Sequence, residues 1–468
     1  MADHDVIVLG GGPGGYASAL RAAVRGLSVA MVEADRVGGT CLHWGCIPSK
    51  AMLHVGGILD EARDAERFGL DLTVGGIDVE RMAAFRQGVQ DQLTSGLEGL
   101  VRARGITHLT GWGTVGPDGH TVTVTGDDGE RALTADHVVI AVGSAVRSLP
   151  GVEVDGDVVI TSDTATHLTR IPERALVIGS GAVGLEFASL FRSLGASEVT
   201  VVEALDRIAP LEDVDVSTAL ARAFRKRGIT TVAGTTATDV TAIDGPTGTA
   251  ATVSLSDGDA HVVDTVLVAV GRRPRTEGIG LDDLGVLDER GYVVADPSGR
   301  TAVDGVWAVG DVLAPPSLAL AHAAFAEGFA VADQIAGERV TPVDHTLVPR
   351  VTYCTPEVAS VGLTEAQARE RHGDAVTATT TSMRGNAKGI IHGSDGFVKV
   401  VAGGPEGAVL GVHVVGPHAT DLIAEAQLIT AWEALPAEVA ALVHPHPTVA
   451  EAIGEAHLAA AGLPFHTH

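Results

Sequence analysis

The apolar positions of this chain fall into short β-branched runs that end in glycine, and two stretches share one order of runs, turns and acids. Val6-Ile7-Val8-Leu9 leads into Gly10-Gly11-Gly12-Pro13-Gly14-Gly15. A short continuous apolar run bounded by glycine predicts a buried strand of a parallel sheet. The Ala-rich stretch that follows predicts a helix through Arg25, and Val29–Val32 predicts a second strand that ends in Glu33. The order repeats downstream. Ala175–Ile178 predicts a strand and Gly179-Ser180-Gly181-Ala182-Val183-Gly184 a turn; a helix follows to about Leu194, and Val199–Val202 ends in Glu203. From first glycine to acid the spacing is 23 residues in one copy (10 to 33) and 24 in the other (179 to 203).

Both copies close alike. Asp127-Asp128-Gly129 and Asp257-Gly258 are turn signals between alternating strands. Returning strands then run from His137 to Gly143 and from Thr265 to Gly271. From acid to closing glycine takes 110 residues in the first copy (33 to 143) and 68 in the second (203 to 271), so the first carries 42 more. That excess begins near residue 34 and holds Cys41 and Cys46.

A strand, a Gly-x-Gly-x-x-Gly turn, a helix, a strand and an acid suit a dinucleotide. Gly10 and Gly179 permit the tight turn, Gly12 and Gly181 let a pyrophosphate approach the backbone, and Gly15 and Gly184 let helix and strand pack closely. The helix N-terminus faces the phosphates, and Glu33 or Glu203 can accept hydrogen bonds from a ribose. Two glycine-rich turns in an ordinary α/β domain are the plainer alternative. Two full copies at matched spacing favour two dinucleotide sites. Glu203 is followed by Ala204, Leu205 and Asp206 with no basic cluster, which favours NAD over NADP at the second.

Composition narrows the class. The chain has 468 residues, enough for about three domains at roughly 150 residues each. Hydrophobic residues make up 45%, which supports large cores. The formal charge of -27 opposes nucleic acid and anionic lipid as partners, and 3% aromatics leaves little for base stacking. No apolar run approaches the roughly 20 residues of a membrane helix, and no secretory leader is expected. Three cysteines in so long a chain are not a disulfide scaffold, which points to a reducing cytoplasm.

The chemistry concentrates in two stretches. Gly38-Gly39-Thr40-Cys41-Leu42-His43-Trp44-Gly45-Cys46-Ile47-Pro48-Ser49-Lys50 separates two cysteines by four residues. Half a zinc site, two buried thiols and a redox pair all fit that spacing. Zinc is disfavoured because the only further cysteine is the distant Cys354, most simply a buried thiol. Lys50 is one of four lysines, and its charge can stabilise a thiolate or a reduced flavin. Near the C-terminus, His444-Pro445-His446-Pro447-Thr448-Val449-Ala450-Glu451 offers an imidazole for proton transfer and a carboxylate to orient it. Pro447 and Thr448 are expected to begin a helix, with Glu451 one turn along. A proline-rich turn with incidental histidines is the alternative.

These stretches together resemble the class I flavin disulfide reductases, in particular the dihydrolipoamide dehydrogenase branch. The resemblance runs through Gly10–Ala17, Gly38–Lys50, Leu93–Gly113, Ile140–Ser144, Gly179–Phe187, Gly271–Pro274, Ala308–Val312, Val358–Thr364 and His444–Ala452. It implies an α/β fold with two Rossmann-like FAD/NAD(P)-binding domains and a C-terminal α+β dimerisation domain. The implied division is 1–147 (FAD), 148–272 (NAD), 273–341 (a central domain completing the FAD site) and 342–468 (interface). Cys41 would be the interchange thiol and Cys46 the sulfur facing the flavin. Lys50 would lie near the flavin and pair with Glu186, and Gly310-Asp311 would hold its ribityl chain. His446 and Glu451 would serve the disulfide of the other subunit in an obligate homodimer. Gly143 and Gly271, which close the two folds, would also line the cofactors. The implied reaction oxidises dihydrolipoyl groups with NAD, and lipoyl domains of 2-oxoacid dehydrogenase complexes or of the glycine cleavage system would be the partners. The chain departs from the usual pattern at His43, Trp44, Val142 and Ala323. A low-molecular-weight disulfide reductase, a mercuric reductase and a non-catalytic flavoprotein scaffold are the rival readings. The C-terminal cysteine pair expected of a mercuric reductase is missing from Gly462–His468, and Glu203 argues against an NADP-linked glutathione reductase.

Overall fold

The computed structural model describes residues 2–127, 129–245, 248–404 and 406–466, so Asp128 of the predicted turn lies outside the described residues. Two compact units divide the chain. One comprises Met1–Met52, Glu80–Arg147 and Arg272–His345; the other comprises Leu53–Val79, Ser148–Gly271 and Thr346–His468.

In the first unit, strand His4–Leu9 lies between Val29–Glu33 and Gly129–Ile140, parallel to both, with Ile7 opposite Ala30 on one side and Val138 on the other. Thr107–Thr110 extends the sheet beyond Val29–Glu33, and Val306–Ala308 adds parallel to Gly129–Ile140. The reason for the unbroken apolar run is visible in the core. Ile7 and Leu9 enter one hydrophobic cluster while Val6 and Val8 enter another, so both faces of the strand are covered. Segment 273–341 therefore finishes the first sheet. Its helix Ala321–Ile335 packs on helix Pro13–Val24, and a Cβ on Gly328 would stand 2.6 Å from the Gly14 carbonyl oxygen. Arg21 and Arg25 both clamp Asp333 at 2.7 Å. Hydrogen bonds from Arg21, with help from Arg25, outweigh the opposing effect of partial burial and hold that carboxyl down to about 2.

The second unit repeats the scheme. Its parallel sheet runs Ile229–Ala233, Glu198–Glu203, Arg174–Ile178, Thr265–Val268, Val159–Thr161. A separate five-stranded antiparallel sheet, from Arg350–Thr352 to Thr377–Ser382, carries helices Ala419–Ala431 and Glu451–Ala460 over its own core. Buried Lys399 meets Asp213, Asp215 and Glu365 at 2.7–2.8 Å, so its charge is fully matched.

The returning strands end earlier than the sequence suggests, at Ile140 and Val268. The cause is the same in both copies. A Cβ on Gly10 would stand 2.3 Å from the Ala141 carbonyl oxygen, and one on Gly179 would stand 2.4 Å from that of Ala269. The glycine turn crosses the strand end there, and the ladder cannot continue. The excess of the first copy is helical: Gly39–His43, Cys46–Arg63 and Val79–Ala103 lie between its second and third strands. Among the described residues, no helix is long and apolar enough to cross a membrane.

Candidate active site

The two glycine turns have matching geometry. Gly10 and Gly179 have φ of +107° and +102°, a region in which side chains are strained. A Cβ on Gly15 would fall 1.8 Å from the Gly10 carbonyl oxygen, and one on Gly184 would fall 2.0 Å from that of Gly179. These glycines close the fold. Gly12 and Gly181 differ: a Cβ on Gly12 meets only the Gly39 Cα at 3.9 Å, and one on Gly181 meets nothing within 4 Å. Both have ordinary φ, -71° and -68°. The space before them is an open cradle at a helix N-terminus, which fits a pyrophosphate. Gly181→Ala is therefore expected to keep the melting temperature within about 2 °C while raising KM for NAD at least ~10-fold. Gly184→Ala should instead lower the melting temperature by ~4 °C or more, because backbone must move. Thermal melts and steady-state kinetics of the two variants check this contrast.

Each acid also ties its own turn, which sequence reasoning missed. Glu33 Oε2 accepts the Gly11 N–H at 2.6 Å, and Glu203 Oε2 accepts the Ser180 N–H at 2.9 Å and hydroxyl at 2.6 Å. Burial alone pushes the Glu203 carboxyl up, but the bonds from Ser180, Leu205 and Ala204 outweigh it and hold the group below its usual range. Glu203 is thus a fixed anion at the end of its strand.

Gly310, with φ of +78°, donates its N–H to Glu327 Oε2 at 2.6 Å. Glu327 Oε1 accepts the Ser317 hydroxyl at 2.9 Å. Beside it, Asp311 Oδ2 accepts the Ser144 hydroxyl at 2.6 Å, and Arg272 donates to the Ser144 hydroxyl at 2.6 Å and carbonyl at 2.8 Å. Ser144 and Arg272 each follow a closing glycine, Gly143 or Gly271, and their short strands pair antiparallel. Their equivalent places in the duplication were the available signal. Gly143 and Gly271 have φ of +69° and +101°, with open space where a Cβ would stand.

The cysteine segment is clamped onto the first turn. The Gly38 N–H donates to the Gly11 carbonyl at 2.8 Å, and a Cβ on Gly39 would stand 2.7 Å from the Gly12 Cα. Cys41 sits in helix Gly39–His43, and Cys46 opens helix Cys46–Arg63, with Lys50 one turn along. Both cysteines are thiols, and the pair shares a hydrogen bond. That bond, burial and the neighbouring Cys46 push the Cys41 thiol up, while the Lys50 charge pulls it down. Tyr16 lies in the same environment, and burial, then Cys41 and Cys46, push its hydroxyl up to about 12. His43 is buried, whereas Trp44 is 40% exposed.

In the second unit, His446 Nδ1 donates to Glu451 Oε1 at 2.8 Å, which leaves Nε2 as the free base. Glu451 Oε2 accepts the Thr448 N–H at 2.8 Å. Burial acts to raise the Glu451 carboxyl, but the bonds from Thr448 and His446 prevail and lower it. The expected helix start is corrected here: the helix begins at Glu451 itself. The Thr448 hydroxyl donates to the Pro445 carbonyl at 2.8 Å, so residues 445–448 form a closed turn and not a helical one. His444 makes a separate pair with Glu425 at 2.8 Å. Glu186 is buried in helix Ala182–Leu194 and accepts the Tyr353 N–H at 3.0 Å. Cys354 is buried, and burial pushes its thiol up, as expected of an inert group.

Two dinucleotide folds, a dithiol clamped to the first of them and a carboxylate-oriented imidazole define a dinucleotide-dependent disulfide oxidoreductase. The comparisons agree. Residues 4–328 match the pyridine nucleotide-disulphide oxidoreductase family, and residues 348–457 match that family's dimerisation domain. The dihydrolipoyl dehydrogenase of Bacillus subtilis (strain 168) is 40% identical over 478 residues, covering 99% of each chain. That of Zymomonas mobilis is 40% identical over 471 residues, covering all of both. A leghemoglobin reductase of Vigna unguiculata is 37% identical over all of this chain and 89% of its own. The crystal structure of LpdA from Mycobacterium tuberculosis superposes with a TM-score of 0.88 at 28% identity, covering 97% of this chain and 98% of that one. The chain belongs to the pyridine nucleotide-disulphide oxidoreductase family.

Proposed function

We propose that the protein is a dihydrolipoyl dehydrogenase, which oxidises protein-bound dihydrolipoyl groups with NAD and works as a homodimer. The observation that carries this is the clamp between Gly38-Gly39 and the first nucleotide turn, which fixes Cys41 and Cys46 beside a dinucleotide cradle. Full-length relatives at 40% identity carry that name. FAD belongs in the first fold, against Gly10, Gly12, Gly15, Glu33, Gly143, Gly310 and Asp311. NAD belongs in the second, against Gly179, Gly181, Gly184, Glu203 and Gly271.

The chain's own residues divide the work. His446 takes the proton from one substrate thiol, and Glu451 holds the imidazole in the tautomer that accepts it. The thiolate attacks Cys41 of the oxidised pair in the partner subunit, forming a mixed disulfide as Cys46 leaves as thiolate. The second substrate thiol then displaces Cys41 and closes the lipoyl ring. Lys50 favours the thiolate form of the pair. FAD, held by the first fold beside the pair, would supply the two-electron redox chemistry that links the Cys41–Cys46 dithiol to NAD. His446 is 75% exposed in the single chain, and the neighbouring Val443 is 96% exposed, as befits a surface that a second subunit covers. The domain division 1–147, 148–272, 273–341 and 342–468 follows from this assignment. Lipoyl domains of 2-oxoacid dehydrogenase complexes or of the glycine cleavage system are the partners, and the cytoplasm is the compartment.

The test assays dihydrolipoamide, glutathione and other thiols or disulfides with NAD(H) and then NADP(H). Turnover with dihydrolipoamide and NAD is expected. Saturation with glutathione but not with lipoamide would overturn the substrate and leave the family intact.

A further inference from the structure

We infer that Gln90 is a positioning residue for the Cys41–Cys46 pair, whose side-chain amide clamps the backbone between the two sulfurs and tilts the pair toward the disulfide. Helix Gly39–His43 is only five residues long, so its last carbonyls have no partners within the helix. Gln90, buried on helix Val79–Ala103, donates Nε2–H to two of them: Leu42 at 3.1 Å and His43 at 2.9 Å. Both carbonyls lie inside the ring that a Cys41–Cys46 disulfide closes. The His43 imidazole fastens the same helix end as well, donating Nε2–H to the Val37 carbonyl at 2.9 Å.

The arrangement has a cost that locates its purpose. With its amino group on the carbonyls, Gln90 must bury Oε1 as an acceptor, and with Nε2 protonated, His43 must bury Nδ1 as one. Neither atom finds a partner among the described residues. An apolar side chain at position 90 would avoid one of these orphans, and only the two carbonyl bonds offset it.

The thermodynamic direction follows. In the dithiol form nothing covalent holds the sulfurs together, so an unbraced helix end can fray and separate them. In the disulfide form the ring already prevents this. The brace therefore removes freedom chiefly from the reduced pair and favours oxidation.

This inference rests on the redox-pair reading above, and one experiment separates the two. The holoenzyme is equilibrated in buffers of reduced and oxidised dithiothreitol, then quenched with an alkylating reagent, and the Cys41–Cys46 peptide is read by mass. Two electrons and two protons pass from the two thiols to oxidised dithiothreitol, closing one S–S bond and opening another. Gln90→Leu should lower the disulfide's formation constant about ten-fold, a potential ~30 mV less negative. Thr94→Val is the control, because among the described residues the buried Thr94 hydroxyl bonds only the Gln90 carbonyl within its own helix, at 2.8 Å. It should leave the constant unchanged. If Gln90→Leu does not fold, Gln90→Met carries the same expectation with an unbranched chain. A folded donor-less variant with the wild-type constant, or an equal shift in Thr94→Val, overturns the inference. A wild-type pair that never closes a reversible disulfide overturns the functional reading instead.

Discussion

Cys41→Ser and Cys46→Ser should each lower dihydrolipoamide oxidation by about four orders of magnitude, because residues that act as one unit fail together. Neither serine can form the bridge that a substrate thiolate attacks. The two thiols share a hydrogen bond, and the segment that carries them is clamped to the first nucleotide turn through Gly38 and Gly39. Sulfur-to-oxygen replacement barely changes volume, so flavin content and melting temperature should stay near wild type. A reductive titration gives the second readout. Wild type should take up four electrons per flavin, two in the pair and two in the ring system, while each variant takes up two. Cys354→Ser is the control, since Cys354 is buried and its sulfur lies 3.1 Å from the Pro356 carbonyl. It should keep turnover within about two-fold. Substantial turnover in either variant of the pair would show the thiols to be structural.

The parts of the site that the sequence declares are those whose chemistry is local. Val6–Leu9 and Ala175–Ile178 announce buried strands because both faces of each are covered, and the glycines mark turns that tolerate no side chain. Cys41 and Cys46, or His446 and Glu451, sit within five residues of each other, so spacing alone brings them together. The supporting residues are invisible for the opposite reason. Gln90 reaches Leu42 across 48 residues, and Arg272 reaches Ser144 across 128. A glutamine on a long helix and a serine after a strand have many ordinary uses, and only the tertiary fold selects one. The misplaced helix start at Pro447 has a third origin. Proline before an Ala-rich run is a sound start signal, but the Thr448 hydroxyl and the Glu451 carboxylate satisfy the local backbone as a turn first.

His446→Gln should lower kcat/KM for dihydrolipoamide by ~10³-fold, within the range for loss of a general base. Glutamine keeps the approximate size but cannot take a proton from the thiol. Glu451→Gln should cost less, about ten- to hundred-fold, because it removes orientation and charge support and leaves the base in place. The carboxylate contacts His446 Nδ1 and the Thr448 N–H at 2.8 Å each, so a glutamine oxygen can keep only one of these roles. The carboxylate's own state sets the pH range in which this contrast is read. Glu451 is held below the usual carboxylate range by Thr448 and His446 despite burial, so it stays an anion to lower pH than an ordinary glutamate. Glu451→Gln, which removes that anion at every pH, should lower the plateau across the range in which the wild-type carboxylate is ionised. The double variant should be no worse than His446→Gln alone, since the carboxylate acts only through the ring. Additive losses would separate Glu451 from the base and leave His446 without its assigned partner.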